Sequence, residues 1–196
     1  MPNRKNGIIL TAAKVDDGLS QLFGEIPPAL IPVNGKPLIF HQIENFIQYG
    51  VSHIYISVGY NKKRLISLVK NYYAERVNLE FITVDYKKPP GHSLLTCLKI
   101  ITEGEVTVIL GDTFLPNKNL VEKSNQVFVS KSINQSRRWS KVQINESGNI
   151  NFLEKESNGN LAIIGVYQIA DIKGLVDNIK INDFEITEVL KLLDIS

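Results

Sequence analysis

Residues 7–37 read GIILTAAKVDDGLSQLFGEIPPALIPVNGKP. GIILTAA is a short apolar run ending in small residues, the pattern of a buried strand. It runs into a segment with the outline of a phosphate-binding loop. PVNGKP ends the stretch like a segment that closes over a nucleotide. Between them stand Asp16 and Asp17, where a phosphate loop needs glycines and a cation.

Outward from that stretch, apolar and amphipathic runs alternate. Leu38, Ile39, Ile43, Phe46 and Ile47 keep helical spacing, with Pro37 able to start the helix and Gly50 to end it. HIYISVGY reads as a strand, NKKRLISLVKNYY as a helix with Asn61 as N-cap, and LEFITV as a strand. HSLLTCLKII then reads as a helix, and EVTVIL as a strand that meets Gly111 and Asp112. Such alternation predicts right-handed βαβ units around a largely parallel sheet. The second half differs. QVFVSKS, SKVQINES, NINFLEKE and LAIIGVYQI are strand-like, Glu146–Asn149 reads as a hairpin turn, and DFEITEVLKLL as a closing helix. The expected fold class is α/β with a mixed, mostly parallel sheet, in one domain spanning residues 1–196.

Composition narrows the function. Hydrophobic residues are 43% of the 196, enough for a sizeable core. A net charge of +2 gives no bulk electrostatic case for nucleic acid. Cys97 is the one cysteine, so an intrachain disulfide framework and a cysteine-rich metal site are excluded. His41, His53 and His92 are scattered without metal-ligand spacing, so no zinc is assigned. The basic start is followed by an apolar run too short for a signal peptide, and nothing approaches the roughly 18 apolar residues of a membrane span. A soluble cytoplasmic protein with no membrane partner is expected.

Ligands of such sheets sit beyond the carboxyl ends of the strands. Three loops leave there: one after Ala13, one after Val84, and Gly111–Asp112. The first resembles the signature of the sugar-1-phosphate nucleotidyltransferases (nucleotide-sugar pyrophosphorylases), A-A-G-x-G-T-R-L followed by P-K-x-L-x-P-V-x-G-K-P-L. Ala12, Ala13, Leu19 and Pro27 match, and residues 29–38 (ALIPVNGKPL) match almost throughout. The strand before and the helix after give the motif its required context. The family glycines fall at Lys14 and Asp16, the threonine at Asp17, the arginine at Gly18 and the lysine at Pro28. Loss of both cations weakens the grip on a triphosphate, because nucleotidyl transfer depends on positioning and electrostatic stabilisation. Asp16 and Asp17 repel a triphosphate unless a metal stands between them. Lys14 is the candidate catalytic and nucleotide-binding cation; the alternative is an exposed loop lysine.

DYKKPPGHSLLTCLKI is similar to the family's Q-x-x-x-x-G-T-x-x-A segment. Gly91 matches its glycine, while Tyr86 and His92 replace the base-reading glutamine and the threonine. Tyr86 either stacks on a base or closes a buried edge. Lys87 and Lys88 either reach phosphate or belong to a solvated loop. In VTVILGDTF, the resemblance makes Asp112 the ligand of Mg²⁺ on the phosphates; the alternative is a turn cap. A carboxylate directly after a buried strand is expected to need a partner. NFLEKES is similar to the family's V-E-K-P, making Glu154 and Lys155 the sugar and sugar-phosphate contacts, or else an exposed strand pair. LAIIGVYQI is similar to N-A-G-I-Y, with Gly165 letting the sugar approach the backbone. Ile163 and Ile164 stand where the family has Asn and Ala, so a narrower or more apolar pocket is expected. The family continues to a second metal-binding aspartate; this sequence stops at Ser196, so that ligand is expected to be absent, or supplied by a partner or by a segment missing here.

The resemblance covers residues 7 to about 193 and identifies a divergent, C-terminally short member. It implies a Rossmann-like three-layer sandwich, shared in outline with GT-A glycosyltransferases. The implied activity is transfer of NMP from NTP to a sugar-1-phosphate or similar phosphate, giving NDP-sugar and pyrophosphate with Mg²⁺. Two alternatives stay open. One is a non-catalytic nucleotide- or sugar-phosphate-binding subunit, acting as a homo-oligomer or beside a partner. The other is a transferase that uses a preformed nucleotide sugar. By analogy with the family, polysaccharide biosynthesis is the expected setting.

Overall fold

The computed structural model describes residues 5–116, 125–131, 140–146, 150–153, 161–178 and 185–192. Its core is four parallel strands: β1 (Lys5–Leu10), β4 (His53–Val58), β5 (Asn78–Thr83) and β6 (Glu105–Leu110). Between them run helices α2 (Leu38–Gln48), α3 (Lys62–Tyr73) and α4 (Pro90–Leu98). The sheet order is β5-β4-β1-β6, continued by β10 (Leu161–Ile169) antiparallel to β6. The strands β7 (Gln126–Lys131) and β8 (Lys141–Ile144) both pair with β10, and β9 (Ile150–Leu153) pairs with β8. A mixed, mostly parallel sheet is therefore observed.

Both faces of the central strands are buried, which is why they read as continuous apolar runs. Ile8, Tyr55 and Val108 point to one face, under α4 and two short helices, α5 (Ile172–Asn178) and α6 (Ile186–Leu190). Ile9, Ile54, Ile56 and Ile109 point to the other, under α2 and α3. The result is three layers. No helix among the described residues is long and apolar enough to cross a membrane.

Local chemistry departs from the sequence reading in three places. Asn61 does occupy the N-cap position of α3, but its side chain makes no capping bond; its backbone is left-handed instead, at φ 49°. The span after Lys14 is not an open loop. It forms α1 (Asp17–Phe23), whose N-cap is Asp16, with the carboxylate accepting from Leu19 N at 3.0 Å. The motif piece that matches best, PVNGKP, is a hairpin. Its strands β2 (Pro32–Val33) and β3 (Lys36–Pro37) pair across Asn34 and Gly35, at φ 49° and 82°. Two successive positive φ values are what Asn-Gly supplies in a tight hairpin turn. Of the expected turn at Glu146–Asn149, residues 147–149 lie outside the described residues. The strands on either side of it, β8 and β9, pair antiparallel with Ile144 opposite Ile150.

Candidate active site

The carboxyl ends of β1, β4 and β6 are stitched together by short bonds. Thr11 Oγ1 donates to Ser57 O at 2.6 Å, Tyr60 N to Ala12 O at 2.9 Å, and Gly111 N to Leu10 O at 2.9 Å. A Cβ on Gly111 would stand 2.7 Å from Leu10 O, so only glycine lets the Gly111–Asp112 turn cross so close to β1.

Above these ends lie two clefts that meet at the turn. The first, of about 190 Å³, is lined by Ala12, Ala13, Pro28, Tyr86, Ser93 and Asp112, among others. The second, of about 810 Å³, is lined by Asp112, Thr113, Ile163, Ile164, Gly165 and Tyr167, among others. Leu110, Asp112 and Pro90 wall both. The fold thus gathers Ala12, Ala13, Tyr86 and Asp112 around one space, and Asp112 and Gly165 around the next. Gly91 sits buried in the first turn of α4, between the cleft-lining Pro90 and Ser93. Glu154 and Lys155 lie outside the described residues.

Asp112 is exposed at this junction. The expectation that it needs a partner after a buried strand is corrected here: the chain turns outward at Gly111, so the carboxylate keeps its water. Its charge is felt by the Tyr167 phenol, which is pushed well above the usual tyrosine range by burial first and by Asp112 second.

Tyr86 is 40% exposed at the mouth of the first cleft, edge-to-face with Tyr60 at 5.6 Å between centroids. Lys14 is 44% exposed and lies 3.5 Å from Glu25 Oε1. The other Glu25 oxygen accepts from the Tyr60 hydroxyl at 2.7 Å. That hydrogen bond, and after it the Lys14 charge, holds the Glu25 carboxyl below its ordinary range. Pro28, in the place of the family's lysine, does reach the first cleft but brings no charge. Lys88 also lines it.

Sequence reasoning missed Gln42, Thr113 and Glu25. Gln42 carried a visible signal, a polar residue set within the apolar stripe of α2. It is 1% exposed and donates from Nε2 to Leu110 O at 2.9 Å and Thr113 O at 2.8 Å.

Among the described residues no group of three His, Cys, Asp or Glu side chains is placed to hold a metal. Mg²⁺ commonly takes one or two carboxylates and completes its shell with water and substrate phosphate. The lone exposed Asp112 fits that donor set; a cage built from protein alone does not.

The family model described as MobA-like NTP transferase domain matches residues 7–133. The bifunctional protein GlmU of Methanococcus maripaludis is 29% identical over 199 aligned residues, which cover 96% of this chain and 46% of that protein. The UTP--glucose-1-phosphate uridylyltransferase AglF of Haloferax volcanii is 26% identical over 203 residues, covering 95% and 82%. Among solved structures, the inositol-1-phosphate CTP transferase from T. maritima superimposes with a TM-score of 0.76 at 18% identity, covering 96% of this chain and 80% of that one. This last likeness establishes the fold. The chain spans about half the length of the GlmU relatives it matches.

Proposed function

The chain belongs to the MobA-like NTP transferase domain family, and from that premise we propose that it moves a nucleotidyl group from an NTP to a sugar phosphate. The observation that carries this reading is that one turn, with Asp112 on it, walls both clefts. The first cleft, with Tyr86 at its mouth, takes the nucleotide; the second, with Gly165 in its wall, takes the sugar phosphate. In the reaction a sugar-phosphate oxygen bonds to the α-phosphorus, the α–β phosphoanhydride bond breaks, and pyrophosphate leaves. Asp112 would hold Mg²⁺ against the phosphates, where the ion supplies positive charge. Ile163 and Ile164 make the second cleft more apolar than the resembled motif would.

A second reading, binding without turnover, is favoured by a specific observation. The segment that would grip the triphosphate has Asp16 capping α1, Pro28 in place of a cation, and Lys14 beside Glu25. One experiment separates the two. Thermal stability is followed with each NTP, with and without Mg²⁺, and pyrophosphate release is assayed with a panel of sugar phosphates. A ligand of the folded state raises stability by RT ln(1 + [L]/Kd). A Mg²⁺-dependent shift with pyrophosphate release supports transfer. The same shift with no pyrophosphate from any acceptor supports binding alone. No shift with any NTP would sink both.

A further inference from the structure

The turn that carries Asp112 is held from behind by a residue that touches neither cleft. Gln42 sits on the inner face of α2, buried among Leu38, Ile39, Ile43 and Phe46. Its two bonds, to Leu110 O and Thr113 O, bracket Gly111 and Asp112. Both neighbours are carbonyl oxygens, so only the amide NH₂ can face them; the orientation is fixed by chemistry. The remaining Gln42 Oε1 is buried with no hydrogen-bond partner. An unpaired buried acceptor is a penalty that Leu or Met of similar size would avoid. The amide is therefore explained by what it holds.

A second tie meets the same turn from β10. Thr113 Oγ1 donates to Ile164 O at 3.0 Å, next to Gly165 on β10. Thr113 N also bonds Leu110 O at 3.0 Å, closing the turn on itself. Asn45, one helical turn from Gln42, donates to Leu115 O at 3.2 Å and steadies the exit.

We propose that Gln42 is a positioning residue: its amide, bonded to both ends of the Leu110–Thr113 turn, fixes Asp112 where the nucleotide cleft and the sugar-phosphate cleft meet. The inference rests on the function proposed above. Residues that orient a carboxylate toward an ion are worth on the order of ten- to a hundredfold in its affinity. Loss of the two donors therefore weakens the Mg²⁺-dependent part of nucleotide binding and leaves the Mg²⁺-independent part alone.

The test compares wild type with Gln42→Met, which keeps the bulk and loses the donors. Thr113→Val is the second variant, removing the tie to β10 from a half-buried position in case Gln42→Met does not fold. Nucleotide binding is titrated against Mg²⁺ for each folded protein, using the NTP that shifts wild type most. The expected result is a Mg²⁺ midpoint raised roughly tenfold, with nucleotide affinity in the presence of chelator unchanged. A purely structural role lowers the melting temperature without moving that midpoint, and this outcome overturns the inference while leaving the proposed function standing. A wild-type protein with no Mg²⁺-dependent nucleotide binding overturns both.

Discussion

The Tyr60 hydroxyl donates to Glu25 Oε2 at 2.7 Å, which leaves the other carboxylate oxygen facing Lys14 at 3.5 Å. Glu25 thereby links the cation beside Ala13 to the tyrosine that packs on Tyr86. If Lys14 takes the nucleotide phosphates, as proposed, Glu25 competes with them for its charge. Glu25→Gln should therefore strengthen NTP binding, by roughly two- to fivefold, the scale of an exposed ion pair. The gain should vanish in the double variant with Lys14→Ala. Isothermal titration of the single and double variants decides it. An equal gain in both would show that Lys14 does not reach the nucleotide.

Asp112 offers a cleaner separation of stability from function. It is exposed and supports no packing. Asp112→Asn should leave the stability of the free protein within about 0.5 kcal/mol of wild type, yet remove the Mg²⁺-dependent stabilisation by NTP. Scanning fluorimetry with and without the ion reads both quantities. Undiminished Mg²⁺ dependence in the variant would remove Asp112 from the metal.

The strand–helix alternation was legible because strands buried on both faces leave long apolar runs, as in GIIL and EVTVIL. The three loops at the carboxyl ends were legible for the same reason. The helix α1 was not. Leu19, Leu22 and Phe23 have the i, i+3, i+4 spacing of a helix, but all three remain exposed, so no core-facing stripe announced it. The glycine-loop pattern of the resembled family also obscured Asp16, whose acid reads as phosphate-repelling until its bond to Leu19 N makes it a cap. Gln42 was hidden differently. Its place in the apolar stripe of α2 was visible, but its role was not, because the carbonyls it bridges, Leu110 and Thr113, become its neighbours only across the fold.

The bend of β10 makes a quantitative pair of predictions. Gly165 has φ 78°, the register against β7 shifts between Ile163 and Tyr167, and an added Cβ would stand 2.6 Å from Thr113 Oγ1. Gly50, which ends α2, has a similar φ of 75° but open space where its Cβ would go. Gly50→Ala should cost about 1 kcal/mol, the dihedral strain alone. Gly165→Ala should cost more, about 2–3 kcal/mol, because strain and collision add. Urea melts of the two variants give the comparison. Equal losses would mean that Thr113 yields freely, and that the turn is not tightly held against β10.

Acid stability should trace to Glu44. Burial pushes this carboxyl up, but hydrogen bonds from Lys36 and Tyr73, with the Lys36 charge, outweigh it and leave the group below its ordinary range. Tyr73 Oη donates to Glu44 Oε1 at 3.0 Å, and Lys36 Nζ bonds the other oxygen. Burial, and then this bond, raise the Tyr73 phenol far above its usual range, so it stays a neutral donor throughout. The sign follows from linkage. A carboxyl with a depressed folded-state pKa contributes stability above its unfolded value, and that stability is lost as pH falls through the folded one. Wild type should therefore exceed Glu44→Gln in stability at neutral pH. The gap should narrow on acidification to about pH 3, below the usual range of a free glutamate. Denaturant melts at the two pH values measure it. A gap that persists unchanged in acid would assign the contribution of Glu44 to packing of its stem against Tyr73 rather than to its charge.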